Sequence, residues 1–292
     1  RLVLIGAGAA VTGGAAGAVA GRRAILPAAL AGCGSGGLSP VDLPGPAGAP
    51  AGEYRGVPGF DTRDYPGDAV MAAWRESSPY RWVGYYLPAP CYTGTSWNGR
   101  RPALERMGWG IAVLFVGEQD WPDDAAHVEP GEPTADAAAP RCTRSNVTAE
   151  RGAADGAAAM GAAAAEGFGP GTVVYLDVER VDAVSPELLA YARAWFDALL
   201  EDGRYVPGLY AHAANADPLM AAARAAFEAA GRAGRPALWV VTTSGFGLRS
   251  APGESGFADA RIWQGALDIT ETWGGHALRI DANVAADADP SG

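Results

Sequence analysis

A β-strand that ends in two acidic residues is encoded by the sequence TVVYLDVE at residues 172–179. Its β-branched and aromatic side chains, together with the Gly-Pro-Gly turn at 169–171, are typical of a buried strand. Because side chains alternate along a strand, Asp177 and Glu179 point to the same side. Two adjacent carboxylates are costly to bury, so the pair indicates either an acid and its partner in a cleft or an acidic strand end in solvent.

Strand and helix patterns alternate on both sides of this segment. Eight strand patterns lie between residues 56 and 286, separated in the first two thirds by helical patterns. The alternation predicts the α/β class, specifically a (β/α) TIM-like barrel. Residues 242–260 and 265–277 are Gly-rich and lack a helical period, which predicts a barrel irregular in its last three strands. A doubly wound open sheet is the alternative, although no Gly-x-Gly-x-x-Gly follows the first strand.

The chain outside the barrel has its own organisation. Residues 1–37 combine apolar stretches, an Arg-Arg pair and the sequence Leu-Ala-Gly-Cys, which are features of an export signal. That tetrapeptide resembles a lipobox, which makes Cys33 a candidate for lipidation, and a twin-arginine-type signal is the alternative. Residues 38–55 are rich in Pro and Gly and predict a linker. The barrel then occupies 56–286, and a tail of 287–292 follows.

The charge of the chain and its histidine and cysteine content limit the kinds of molecule that it is expected to bind. The formal net charge is -11, which argues against nucleic acid, since proteins that bind it present a basic surface to the phosphates. The three histidines, His127, His212 and His276, are scattered and are interpreted as surface residues. No Cys-x-x-Cys spacing occurs, so the sequence predicts neither a metal site nor a cofactor.

Four of the predicted strands end in polar residues, and a barrel would bring all of them to one rim. The residues are Asp61, the Asp177 and Glu179 pair, Gln264 and Asp281. Nine short segments then occur in a fixed order: GFDT at 59–62, WR at 74–75, SPYR at 78–81, GYY at 84–86, GWG at 108–110, GFGPG at 167–171, YLDVE at 175–179, GLY at 208–210 and IDAN at 280–283. This ordered set resembles the glycoside-hydrolase-like family first catalogued as domain of unknown function 1906, whose barrel is similar to that of family 25 lysozymes.

The resemblance implies a muramidase-like cleft. Glu179 would be the general acid that protonates the glycosidic oxygen, and Asp177 would orient or stabilise the group that attacks the anomeric carbon. Asp61 and Asp281, which match the acids of the first and last strands, would hold this pair and tune its charge. The chemistry is consistent, because clustered acids raise one another's pKa and glycoside cleavage needs one acid kept protonated.

Sugar rings also need apolar platforms. Five aromatic residues at or near strand ends are candidates for stacking on substrate, and Gln264 is a candidate polar contact beside them: the aromatics are Tyr86, Phe115, Tyr210, Trp239 and Trp263. Packing in the core is the alternative for each. Cys91 and Cys142 fall in the loops after the second and third strands, which are neighbours on one rim, so we expect a disulfide, with two free thiols as the alternative.

These features predict an exported, monomeric protein of the cell envelope that acts on a polysaccharide of the peptidoglycan type. A non-catalytic barrel that binds glycan without cleaving it is the second hypothesis, because a binding module could keep the same acids for sugar hydroxyl groups. A scaffold tethered to the membrane through a lipid on Cys33 is the third hypothesis, and it rests on the N-terminal region alone.

Overall fold

The computed structural model describes residues 53–122 and 142–292, and this part of the chain closes into an eight-stranded barrel surrounded by helices. The strands follow one another around the barrel in chain order, so the predicted α/β TIM-like barrel is confirmed. The strands are β1 (Val57–Asp61), β2 (Trp82–Tyr86), β3 (Gly110–Val116), β4 (Val173–Val178), β5 (Val206–His212), β6 (Ala237–Val241), β7 (Ala260–Trp273) and β8 (His276–Ala285). The helices are α1 (Asp68–Ser77), α2 (Arg101–Met107), α3 (Ala149–Ala165), α4 (Pro186–Asp202) and α5 (Ala213–Ala229).

The end of the barrel departs from a regular (β/α) repeat, as the glycine-rich sequence predicted. Strands β1 to β7 pair in parallel, whereas β8 is antiparallel to both β7 and β1 and is joined to β7 by a hairpin. The register shifts between Leu238 and Trp239 and again after Gln264. This topology corrects one expectation: Asp281 does not end the last strand but lies in the middle of β8, opposite Asp61.

Two hydrophobic layers follow from the alternation of side chains. Tyr175 packs inside the barrel against Trp239, with ring centroids 5.7 Å apart, whereas its neighbours Val174 and Leu176 pack in the outer layer beneath the helices. Trp82 also packs against Trp239 inside the barrel, at 5.6 Å. The interior is therefore filled with side chains, and Asp177, two residues beyond Tyr175, faces the upper end of this filled interior.

The tail after β8 closes the opposite end of the barrel. Pairing between β3 and β4 begins only at Val113, and the tail occupies the gap below that position. Ser291 Oγ accepts a hydrogen bond from Val113 N over 2.9 Å, and Asp289 Oδ1 accepts one from Ile111 N at the same distance. Asp289 and Ser291 thus satisfy two backbone donors of β3 at and below the start of its pairing with β4.

The predicted disulfide between Cys91 and Cys142 is present. It joins the loop after β2 to the segment that leads into α3, at the same end of the barrel as the carboxyl ends of the parallel strands. The export signal with Cys33, and the linker up to residue 52, lie outside the described residues. Within the described ranges, no helix is both long enough and apolar enough to cross a membrane.

Candidate active site

The four acids predicted to share a site are all carried to the carboxyl rim of the barrel. Asp61 is the last residue of β1 and pairs with Asp281 of β8. Asp177 lies one residue before the end of β4, between Val116 of β3 and Tyr210 of β5. Glu179 follows β4 directly, and its negative charge contributes to raising the pKa of Asp61.

Asp61 is more enclosed than its partner Asp281, with 5% of its surface exposed. Its Oδ2 accepts a hydrogen bond from the Tyr86 hydroxyl over 2.9 Å, and its Oδ1 accepts one from Asn283 Nδ2 over 2.7 Å. Burial, and secondly the charge of Asp281, raise the pKa of Asp61 well above its ordinary value. There is room for this side chain because β2 carries Gly84, where a Cβ atom would lie 2.6 Å from Asp61 Cβ.

Gln264 joins Asp61 to Asp281. Its Nε2 donates to Asp281 Oδ2 over 2.7 Å and to Asp61 Oδ1 over 3.4 Å. Asp281 Oδ1 accepts a further hydrogen bond from Asp268 N over 2.6 Å. Burial raises the pKa of Asp281 to about 6, although these hydrogen bonds oppose the increase. Gln264 is fully buried, so it supports the acids from below and is not exposed to a ligand.

A residue that the sequence analysis did not single out, Asn283, completes the support of the acids. Its Oδ1 accepts a hydrogen bond from Trp239 Nε1 over 2.9 Å, while its Nδ2 donates to Asp61. Asn283 is therefore oriented by an indole N–H, which fixes which end of its amide faces the carboxylate. Alternation could have found this residue, because Asn283 lies two positions after Asp281 in the same strand.

His212, interpreted as a surface residue, is partly exposed at the end of β5, where it caps helix α5. The β4–β5 register pairs Val178 with Ala211, so the next positions on the two strands are Glu179 and His212. Its Nδ1 accepts a hydrogen bond from Ala214 N over 3.1 Å at the start of α5. Burial, and secondly Arg180, lower the pKa of His212. The neutral ring consequently carries its proton on Nε2.

The aromatic candidates separate into two groups. Tyr86 and Tyr210 lie at the rim and are partly exposed, as expected of residues that contact a ligand. The expectation for Phe115 and Trp263 is corrected, because both are fully buried in the outer layer beneath the helices. Trp239 is also fully buried, inside the barrel, where it supports Asn283 and cannot stack on a sugar.

The loop after β3 supplies a second residue that the sequence analysis missed. Gln119 is fully buried, and its Oε1 accepts a hydrogen bond from Glu179 N over 2.9 Å. Its Nε2 donates to Asp177 O over 3.0 Å and to Gly117 O over 2.9 Å. The contacts are to backbone atoms, so no sequence motif signals them.

The structure is thus a closed barrel with buried carboxylates clustered at its carboxyl rim. The family model described as Rv2525c-like, glycoside hydrolase-like domain matches residues 72–285, and the chain belongs to this family. No curated protein matches the sequence.

Solved structures share the fold at low sequence identity. An uncharacterized B. stearothermophilus protein is 18% identical with a TM-score of 0.51, over 79% of this chain and 96% of the other. The spore cortex lytic enzyme SleM of Clostridium perfringens is 12% identical with a TM-score of 0.50, over 81% of this chain and 69% of the other. The Tat-secreted protein Rv2525c of Mycobacterium tuberculosis, in complex with L-tartrate, is 14% identical with a TM-score of 0.48, over 80% and 96% of the two chains.

Proposed function

We propose that this protein is an exported glycoside hydrolase that cleaves a cell-wall glycan of the peptidoglycan type. Glu179 acts as the general acid and Asp177 as its stabilising partner. The observation that carries the proposal is the convergence of Asp61, Asp177, Glu179 and Asp281 from three strands of one barrel onto a single rim. Membership of a glycoside-hydrolase-like family supports it.

The raised pKa values of two acids in the cluster support a site in which a carboxyl group can stay protonated. Cleavage needs one carboxylic acid that stays protonated and one negative group that stabilises an oxocarbenium-like centre. Asp61 and Asp281 hold protons to higher pH than ordinary aspartates because they are buried beside each other. They therefore limit the negative charge that accumulates at the base of the cleft. Above them, Glu179 protonates the leaving oxygen and Asp177 stabilises the reacting group.

A neutral sugar polymer fits the surroundings of these acids. Tyr86 on β2 and Tyr210 on β5 offer partly exposed rings at the rim, and His212 adds an N–H donor for a sugar oxygen. The cortex-lytic activity named for SleM supports a cell-wall glycan as the substrate class. The same surface would serve the second hypothesis, a barrel that binds glycan without cleaving it.

The decisive experiment is the release of reducing ends from purified peptidoglycan by wild type and Glu179→Gln. We expect the substitution to lower the rate by a factor of about 100 or more, because the leaving oxygen then lacks its acid. Glu201→Gln, at an exposed position at the end of α4, is the matched control and should leave the rate unchanged. Equal rates for wild type and Glu179→Gln would remove Glu179 as the acid, and binding without release by wild type would favour the second hypothesis.

Export is the second part of the proposal and rests on the sequence of residues 1–37. If the Leu-Ala-Gly-Cys sequence is processed as a lipobox, a labelled fatty acid will be incorporated on Cys33 in the wild type and not in Cys33→Ala. A mature protein that begins at another residue would contradict the lipid anchor. It would leave the twin-arginine-type signal as the explanation of export.

A further inference from the structure

Three consecutive polar residues, Glu118, Gln119 and Asp120, follow β3 and are all buried, with at most 3% of their surface exposed. Burial of three polar side chains in a row is costly unless each one is hydrogen-bonded. All three side chains are hydrogen-bonded or ion-paired, but their partners lie in different parts of the protein. Glu118 and Asp120 contact the surrounding helices, whereas Gln119 contacts the end of β4.

The two acids fix the loop to its surroundings. Glu118 Oε1 forms an ion pair with Arg151 of α3 at 2.9 Å, and Glu118 N donates to the Tyr191 hydroxyl of α4 over 2.9 Å. Asp120 Oδ2 accepts a hydrogen bond from Ser185 Oγ over 2.6 Å, at the start of α4. The backbone on both sides of Gln119 is thereby held by contacts that do not involve the site.

Gln119 connects this fixed loop to the Asp-x-Glu segment. Its three hydrogen bonds reach Gly117 O, Asp177 O and Glu179 N, at 2.9, 3.0 and 2.9 Å. Strand β4 ends at Val178, so Glu179 lies beyond the last position paired with β5. The amide of Gln119 supplies a backbone hydrogen bond at the position where the ladder has ended.

We infer that Gln119 is a positioning residue that sets the location of the Glu179 carboxyl group by holding the backbone on both sides of Val178. This inference rests on the proposed function for its effect on the reaction. Gln119 is fully buried and its amide atoms are used by the protein backbone, so it does not contact substrate. It acts through Glu179, and a displacement of about 1 Å in a reacting group is enough to lower a rate by about 100-fold.

The test compares the variants Gln119→Met and Gln119→Glu with a control variant that also loses a buried hydrogen bond. Methionine keeps the length of the side chain and removes all three hydrogen bonds. Glutamate keeps an oxygen for the Glu179 amide and, when protonated, a donor for Asp177 O. Ser291→Ala is the control, because it removes a buried side-chain oxygen that accepts from the Val113 amide at the opposite end of the barrel.

Amide exchange and the ¹⁵N resonance of Glu179 are measured on the full folded protein without glycan. Reducing-end release is then measured with peptidoglycan as the substrate. In Gln119→Met we expect the Glu179 amide to exchange with deuterium at least 10-fold faster and its ¹⁵N resonance to shift, while Ser291→Ala leaves both unchanged. We expect kcat for reducing-end release to fall about 10- to 100-fold in Gln119→Met with KM nearly constant. Gln119→Glu should recover part of the rate at acidic pH, where its carboxyl group is protonated.

Unchanged exchange and resonance of the Glu179 amide in Gln119→Met would overturn the inference, as would an equal loss of kcat in Ser291→Ala. The amide measurements need no turnover. If wild type released no reducing ends, the proposed function would fail, and the exchange data alone would decide whether Gln119 holds Glu179.

Discussion

Asp61 and Asp281 lie opposite each other on β1 and β8, and both carboxylates accept a hydrogen bond from the same nitrogen atom, Nε2 of Gln264. Burial raises the pKa of each acid, and the charge of Asp281 raises the pKa of Asp61 further. The two groups therefore titrate as a coupled pair. This pair lies beneath Glu179, so its protonation state affects both folding and the proposed reaction.

The stability of the fold should depend on pH through Asp281. Its pKa is raised from 3.8 to about 6 in the folded state, so between about pH 4 and pH 6 the folded protein binds more protons than the unfolded chain. The associated stability is present below about pH 4 and is lost as the pH rises to about 6. Urea unfolding should show that Asp281→Asn, relative to wild type, gains on the order of 1–2 kcal/mol across this interval.

Asp217→Asn, at an exposed position in α5, is the control for that experiment. Its free energy of unfolding should change with pH in parallel with that of wild type. The difference between the two variants reports the buried Asp281 carboxyl group together with its effect on the pKa of Asp61, because acids outside this pair titrate equally in both. A free energy of unfolding for Asp281→Asn that stays parallel to wild type from about pH 4 to about pH 7 would contradict the raised pKa.

Tyr86→Phe removes one hydrogen bond to Asp61 and keeps the aromatic ring on the rim. The Tyr86 hydroxyl group lowers the pKa of Asp61, so its loss should raise that pKa further. We expect kcat for reducing-end release to fall about 5- to 50-fold and its pH profile to move to higher pH. The control is Tyr205→Phe, which removes a hydroxyl that donates to Phe168 O near the amino end of β5 and should not move the profile.

Gly84 should not tolerate a side chain. A Cβ atom at this position would lie 2.6 Å from Asp61 Cβ, so Gly84→Ala must displace Asp61 from its hydrogen bonds. Thermal unfolding should show a loss of roughly 1–3 kcal/mol together with a loss of activity. Gly161→Ala is the contrasting change, because no atom lies within 4 Å of its added Cβ in helix α3, and it should stabilise the protein by roughly 0.5–1 kcal/mol.

The disulfide should contribute strongly to stability. Cys91 and Cys142 are separated by 51 residues, and closing a loop of that length in the unfolded chain is worth about 4 kcal/mol in the chain-entropy model. The double variant Cys91→Ser and Cys142→Ser should therefore unfold at a lower urea concentration. Treatment of wild type with a reductant should produce the same shift, and a midpoint that is unchanged by either treatment would show that the crosslink constrains little.

The alternation of strand and helix patterns along the chain was sufficient to predict the barrel. Within residues 172–179, side-chain alternation predicted that Asp177 and Glu179 face the same side, because one buried face fixes the parity of every side chain in a strand. The same rule shows why Trp263 could not join Gln264 in the cleft. Adjacent residues in a strand face opposite layers, and Gln264 faces the interior. For Phe115 the sequence offered no such guide, since β3 is apolar on both faces.

Other parts of the site depended on tertiary contacts that no local pattern encodes. The position of Asp281 in mid-strand follows from the antiparallel direction of β8, which the sequence did not indicate. Gln119 contacts backbone atoms of β4 from a loop 58 residues away from Asp177. His212 is partly exposed, as expected of a surface side chain, but its place two residues after Tyr210 on β5 also brings it to the rim, which the scattered histidines did not indicate.

The antiparallel direction of β8 also decides where the polypeptide enters and leaves the folded unit. Val57, the first residue of β1, pairs with Ala285, the last residue of β8, at the pole of the barrel opposite to Asp61 and Asp281. An affinity tag attached near either of these two residues would lie at the end of the barrel opposite the acids. Protein immobilised on a bead through that tag would therefore expose its acidic rim to a polymer in suspension.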